Sequence, residues 1–218
     1  TVDELIDENG LQISYTVNQK DFEKIPGSPI GYWLSKKYFN IFEKSPNMNQ
    51  LFPPKVGLQT GNNDRFIRNW NEVSNEKTGF YLTENKFTEQ EKMWAPYNKG
   101  GNYRKWYGNQ ELIINWLNKG SEIYDYRPKS VIRNSNYYFQ EGLNWSLTSS
   151  SGNFAIRYKG VGFVFDVNGM SILMNSEIKF FILGILNSVV GNTILNVLNP
   201  TLAFQAGDIS KFPLLLRS

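Results

Sequence analysis

The 218-residue sequence predicts an α+β fold, a mixed sheet with flanking helices and a C-terminal helical pair. Three observations carry that expectation. Segments 143–147, 154–158 and 162–167 are short, rich in aromatic and apolar residues, and separated by glycines and serines, the punctuation of strands and turns. Segment 32–44 repeats Trp33, Tyr38, Ile41 and Phe42 at helical spacing, with Lys36, Lys37 and Lys44 on other faces. The apolar stretch after residue 176 divides into two helix-length pieces, each preceded by a serine suited to an N-cap, Ser176 and Ser188.

In order along the chain, residues 1–20 read as a lead-in, with a strand at 11–17. Pro46 stops the helix of 32–44, and Pro53-Pro54 sets an extended approach to a glycine-rich stretch. Segment 66–73 is assigned as a strand, and 98–108 as a long loop dense in glycine, cations and aromatics. Ile113, Ile114 and Trp116 make 111–116 a strand. Segment 121–135 is a polar helix split near Pro128. The apolar run Phe163-Val164-Phe165, bounded by glycines, is a buried strand. Helices follow at 176–186 and 188–198, ended by Asn199-Pro200, and 202–212 returns as an extended segment. There is no internal repeat or low-complexity linker, so 1–218 is expected to be a single domain.

Composition narrows the chemistry. Without cysteine or histidine there is no disulfide, thiolate metal site, serine triad or histidine-ligated zinc. A net charge of +3 permits nucleic-acid binding through a local patch without requiring it. The N-terminus is acidic and lacks a signal-peptide pattern, and the longest apolar stretch is broken by Asn187, Ser188, Gly191, Asn192 and Asn196. A cytoplasmic location and no membrane partner are therefore expected. The first residue is Thr, which fits a domain excised from a longer protein.

The densest constellation is Gly57-Leu58-Gln59-Thr60-Gly61-Asn62-Asn63-Asp64-Arg65-Phe66-Ile67-Arg68-Asn69-Trp70. Glycines admit a tight turn, Asn and Asp support it through their own backbone, and a helical turn would set Arg65 and Arg68 on one face. Such a turn suits phosphate and base-edge contact; from chemistry alone an ordinary polar loop is the simpler reading. The second constellation, Lys99-Gly100-Gly101-Asn102-Tyr103-Arg104-Lys105-Trp106-Tyr107-Gly108, sets three cations among three aromatics and three glycines. Here nucleic-acid contact and a plain surface loop stand level on composition. In Thr148-Ser149-Ser150-Ser151-Gly152, consecutive hydroxyls between two strands could donate to phosphates from a hairpin tip, although a plain turn explains each serine slightly better. Alternation from Ala155 places Arg157 on the exposed face of its strand. Asp166 with Glu177 and Lys179 matches the short Asp…Glu-x-Lys pattern of metal-dependent nucleases, a pattern frequent by chance.

The first constellation resembles the "GLQTGDNxRFLRxW" string of PglX-type adenine-specific DNA methyltransferases, the modification enzymes of BREX phage-defence systems. More loosely, it is similar to the "TGxN" entry of specificity domains in TaqI-like and type IIG restriction-modification enzymes. Further matches follow in order. They are Ile25-Pro26-Gly27-Ser28-Pro29-Ile30-Gly31-Tyr32-Trp33, Trp94-Ala95-Pro96-Tyr97-Asn98-Lys99-Gly100-Gly101 with the Tyr103–Gly108 string, Trp145-Ser146-Leu147-Thr148-Ser149-Ser150-Ser151, and the segment from Leu198 to Ile209.

The resemblance implies a DNA target-recognition domain, with residues 1–20 leading in from a catalytic domain outside this sequence. It tips the 99–108 loop towards DNA contact. The implied DNA-binding set is Gln59, Thr60, Asn62, Asn63, Arg65, Arg68, Lys99, Tyr103, Arg104, Lys105, Ser149, Ser150 and Arg157. Within it Gln59, Asn62 and Asn63 would meet adenine, and Arg65 or Arg68 guanine; Trp106 and Tyr107, and with less weight Tyr103, are read as structural. The family's "TGDN" reads Thr60-Gly61-Asn62-Asn63 here, so a role that needs its Asp is in doubt. No catalytic residue carries over. Asn199-Pro200-Thr201-Leu202 lacks the second proline and the aromatic that hold a flipped adenine, and Gly160-Val161-Gly162 precedes a strand where a cofactor loop should follow one. The expected partners are double-stranded DNA and the methyltransferase domain of the same parent chain. No cofactor or metal is expected in this segment, and S-adenosylmethionine would belong to the parent enzyme. Two alternatives remain, a metal-dependent nuclease at Asp166, Glu177 and Lys179, and a protein-interaction module of a defence complex.

Overall fold

The computed structural model describes residues 17–149 and 151–214. Within them lie two sheets. Strands β1 (Ile67–Asn69), β2 (Trp94–Asn98) and β3 (Leu112–Asn115) belong to one, β4 (Gly142–Trp145) and β5 (Ile156–Lys159) to the other. Strand β6 (Val164–Phe165) returns to the first and β7 (Ser171–Leu173) to the second. The first sheet runs β1-β3-β2-β6, antiparallel except for the parallel β2–β6 pair. The second runs β5-β4-β7 and is antiparallel throughout. This is the expected mixed α+β class.

The helices are α1 (Gln19–Phe22), α2 (Lys36–Lys44), α3 (Met48–Leu51), α4 (Asn63–Phe66), α5 (Glu84–Glu89), α6 (Leu117–Asp125), α7 (Ile178–Asn187), α8 (Val189–Leu198) and α9 (Ala206–Ser210). Ser188 caps α8 as expected, its hydroxyl accepting from Gly191 N at 3.0 Å. Helix α7 starts one turn-corner later than Ser176, with Glu177 at its N-cap. The expected strand at 66–73 is divided between α4, β1 and a 3₁₀ turn at Trp70–Glu72, because Asn62 caps a helical turn first. The extended segment of 202–212 contains α9, nucleated by a reciprocal cap between Gln205 and Asp208. The strand at 11–17 falls almost wholly outside the described residues.

Each sheet has its own core. Leu143, Trp145, Ile156 and Ile172 pack against Ile182, Leu183 and Leu186 of α7 and Ile194 and Leu195 of α8. Ala95, Tyr97, Ile114, Val164 and Phe165 pack with Leu58, Phe66, Trp116 and Tyr138. Asn187, at the end of α7, ties helix to sheet: its side chain accepts from Ile156 N at 3.1 Å and donates to Ile156 O at 2.9 Å, standing in for a strand partner. The α7–α8 pair bends by 73° and its apolar faces line the first of these cores. No single helix among the described residues is long and apolar enough to cross a membrane.

The reverse face of the second sheet is polar and still buried. Strand register sets Asn144 opposite both Arg157 and Ser171, and Gly142 opposite Lys159, so these residues share one face. Asn144, Arg157, Lys159 and Ser171 are all fully inaccessible to solvent. Lys159 Nζ donates to Gln140 O at 2.6 Å and stands 5.3 Å from the Phe165 ring of the first sheet, which places this polar layer at the junction of the two sheets.

Burial lowers the Lys159 ammonium to about 7 from the ordinary 10.5. The unfolded chain therefore holds one more proton at this residue between those values. Stability is expected to rise from pH 7 to about 9.5, with a slope of up to ~1.4 kcal/mol per pH unit. Urea unfolding across that range checks this, and Lys159→Met should flatten the slope.

Candidate nucleic-acid interface

The glycine-rich stretch builds one wall of a cleft. Leu58 runs parallel to the exit of β6, with Leu58 N on Phe165 O at 3.0 Å and Val167 N on Leu58 O at 2.9 Å. That approach requires Gly57, where a Cβ would lie 1.8 Å from Phe165 O. Gln59 then pairs with Val131 through both backbone groups, and Gly61 turns the chain at φ +73°. Thr60, buried, donates its hydroxyl to Asn63 Oδ1 at 2.7 Å, and Asn62 caps α4 through Arg65 N at 3.1 Å. The turn is thus rigid, with Gln59 and Asn63 exposed on its rim.

Gln59, Thr60, Asn62, Asn63, Lys99, Asp166 and Asn168 line a cleft of about 360 Å³. An adjoining depression of about 490 Å³ is bordered by Asn63, Asp64, Arg68, Asn69, Glu72 and Lys99. Asn63 and Lys99 belong to both, so the two form one groove. Burial pulls the Lys99 ammonium below its usual value, with Asp166 opposing. Asp166 is buried beside it, accepting from the Tyr97 hydroxyl and from Asn168 N at 2.8 Å. Burial raises its carboxyl, while those donors and Lys99 counteract the rise. The sequence offered Asp166 only as part of the nuclease-like pattern, and Asn168 only as a polar residue after a buried apolar strand.

The two arginines are differently committed. Arg65 meets Glu122 at 3.3 Å with both side chains half exposed, and lies against the rings of Phe66 and Tyr126. Arg68 donates Nη1 to the carbonyls of Asp64 and Ile67 at 2.5 and 2.6 Å, and stands over Trp94. They do not share a helical face, because α4 ends at Phe66 and Arg68 lies in β1.

From Lys99 the chain enters the second constellation, which is anchored from beneath. Gly100 passes so close that a Cβ would sit 2.5 Å from Asn168 O. Ser146 Oγ donates to Gly101 O at 2.9 Å, and Arg157 donates to Ser146 Oγ at 3.1 Å and to Arg104 O at 3.4 Å. Lys105 Nζ donates to Asn187 O at the α7 C-terminus at 2.7 Å. Arg104 stays exposed, 3.9 Å from Glu111. Tyr103, Trp106 and Tyr107 are exposed as well, so Trp106 and Tyr107 are not the core anchors that the sequence suggests.

Arg157 requires a correction. It is wholly buried, because the face of β5 opposite the α7 core is itself covered at the junction of the sheets. Burial and the neighbouring Arg104 lower its guanidinium to about 10, with Glu111 opposing. It supports the loop and offers no surface to a ligand. The hydroxyl turn also stands apart: Ser149 is buried, with its N–H on Leu202 O at 3.0 Å and its Oγ 3.0 Å from Ser151 Oγ. Ser150 lies outside the described residues. The structure thus joins Gln59, Thr60, Asn62, Asn63, Arg68 and Lys99 in one groove, and the chain runs on from Lys99 into the loop of Tyr103, Arg104 and Lys105, which lines neither part of it.

The nuclease pattern finds no support. Lys179 pairs with Glu141 at 3.4 Å, Asp166 is held by Tyr97, and no group of three or more acidic residues able to hold a metal occurs among the described residues.

No family model matches the chain. Two curated relatives do. The adenine-specific methyltransferase PglX of Lacticaseibacillus casei (strain Zhang) is 41% identical over 212 residues, 94% of this chain and 18% of the relative. The adenine-specific methyltransferase BrxX of Escherichia coli O9:H4 (strain HS) is 40% identical over 201 residues, 90% of this chain and 16% of the relative. This chain is similar to a segment of adenine-specific methyltransferases. It spans less than a fifth of the length of either relative.

If Arg157 holds the loop, Arg157→Met should loosen it without unfolding the protein, since an apolar replacement of a buried charge is often near neutral for global stability. Trypsin cleavage after Arg104 or Lys105 is expected to speed up about tenfold, the effect of losing roughly 1.4 kcal/mol of local closure. The urea midpoint should shift by less than the equivalent of ~1 kcal/mol.

Proposed function

We propose that this chain is the DNA target-recognition domain of a bacterial adenine-N6 DNA methyltransferase of a restriction-modification or BREX phage-defence system. Double-stranded DNA would lie along the groove. A catalytic domain of the same parent chain would bind S-adenosylmethionine and methylate the selected adenine. One observation carries the reading. The groove, lined by amides, shares Lys99 between its two parts, and from Lys99 the chain runs directly into a loop that displays Arg104. Amides can read base edges while cations hold phosphates. The similarity to segments of PglX and BrxX supports the methyltransferase context.

Within the set, Gln59 and Asn63 are the best placed for base edges, being exposed on the cleft rim. Arg65 and Arg104 are in weak exposed pairs and are free to exchange a carboxylate for a phosphate. Arg157, Lys105 and Ser149 would act through the positions of other residues.

A second reading, a protein-interaction surface, is favoured by the apolar elbow of α7 and α8, where Phe180, Phe181, Val189 and Val190 face solvent. The two readings are separated by one titration. Fluorescence anisotropy of a mixed-sequence duplex should show saturable binding that weakens steeply between low and moderate salt. Lys99→Ala should weaken it and reduce the slope of log K against log salt by about 1. Absence of saturable binding at low salt would overturn the recognition-domain reading in favour of the interaction surface.

A further inference from the structure

We infer that Trp106, with Tyr103 and Tyr107 beside it, is a stacking surface for a nucleobase that has left the DNA duplex. This rests on the DNA-binding reading above and assigns a contact beyond the phosphates and base edges considered there.

Three features point to it. First, the rings are in solvent: Tyr103, Trp106 and Tyr107 retain 38%, 52% and 58% of their accessible surface. Among the described residues none of the three makes a close ring–ring contact or lies under a cation.

Second, the exposure is built in. Trp106 takes φ +73°, a conformation that a bulky L-residue seldom adopts. Its N–H is bonded to Ile156 O at 3.1 Å and its carbonyl accepts from Tyr158 N at 2.8 Å, so its backbone is fastened to β5 on both sides. Lys105 is tied to Asn187, and the Arg104 carbonyl is held by Arg157. Three consecutive residues are therefore held while the rings project. Strain of this kind persists where the surroundings over-determine it.

Third, the chemistry beside the rings selects the ligand. Arg104 is an exposed guanidinium within the same string, which the chain enters from Lys99 at the border of the groove. A flat π surface flanked by cations fits a base on the ring and its phosphate on the cation. In an intact duplex the base faces are covered by their neighbours, so the surface fits a base that is unpaired or turned out.

The test compares three probes by anisotropy and fluorescence: an intact duplex, the same duplex with one unpaired base, and that duplex with 2-aminopurine as the unpaired base. The chain is expected to bind the second about tenfold more tightly than the first, the effect of one base–aromatic stack, and to quench the 2-aminopurine. Trp106→Ala should bring the ratio of affinities close to one and abolish quenching. Trp106→Phe should keep part of both. Near-UV circular dichroism reports whether Trp106→Ala is folded, and the quenching by the unaltered chain stands without any variant. Equal affinities with no quenching, or a folded Trp106→Ala that keeps both, would overturn this inference while leaving DNA binding intact. Failure to bind either duplex would overturn the DNA-binding reading and this one with it.

Discussion

The structure of the candidate interface depends on one buried guanidinium. Arg157 is inaccessible to solvent and, among the described residues, has no carboxylate within salt-bridge distance; its fork reaches the Arg104 carbonyl and the Ser146 hydroxyl. Burying a cation in this way costs several kcal/mol in general, and here its effect appears as a guanidinium lowered to about 10. What the arrangement provides is position. Ser146 passes the constraint on to Gly101, so the two ends of the Gly101–Arg104 segment hang on the residue that follows β4 and on Arg157 of β5. An apolar residue at 157 would fill the space but would leave the Arg104 carbonyl without its donor. The loop is displayed because a polar layer lies beneath it where most sheets would have a dry core.

The same logic sorts the cations. A half-exposed ion pair contributes ~0–1 kcal/mol, so Arg65 loses little if it leaves Glu122, and Arg104 less still at 3.9 Å from Glu111. Arg68 and Lys105 bond backbone carbonyls at 2.5–2.7 Å, and redirecting them would take a charged donor from each of those acceptors. Lys99 is intermediate: half-buried, bonded to no carboxylate among the described residues, and steadied by the Asp166 field across the cleft. Count of positive charges is therefore a poor guide to this surface; freedom of each donor is the relevant quantity.

Local signals were legible in the sequence and long-range ones were not. Ser188 names the start of α8 because a serine hydroxyl serves its own next turn. The glycine-bounded Phe163-Val164-Phe165 run names β6 because a continuous apolar run has no solvent face. The rigid turn at Thr60 to Asn63 could be anticipated from glycine and amide chemistry alone. Arg157 could not. Alternation from Ala155 identified the correct face of β5, but that face is covered by elements distant in sequence. Helix α9 was missed for a related reason, since its short cap between Gln205 and Asp208 follows a proline-marked segment that reads as extended. Arg65 and Arg68 were separated by the competition between an Asn62 cap and strand pairing with β3, which the spacing of the arginines does not reveal.

The aromatics of the 99–108 loop show how such a misreading arises. A tryptophan in a glycine-rich loop is normally taken as an anchor, because burying its surface offers more free energy than any other contact a loop can make. That inference assumes that the side chain does the anchoring. Here the anchoring is done by Arg157, by Lys105 on the end of α7, and by the Trp106 backbone on the edge of β5. Once polar groups from beneath carry that role, the rings are no longer needed to hold the loop. Their exposure follows from where the hydrogen bonds fall, and this depends on two residues, 157 and 187, more than fifty positions away. The sequence contains those residues, but nothing local to the loop links them to it.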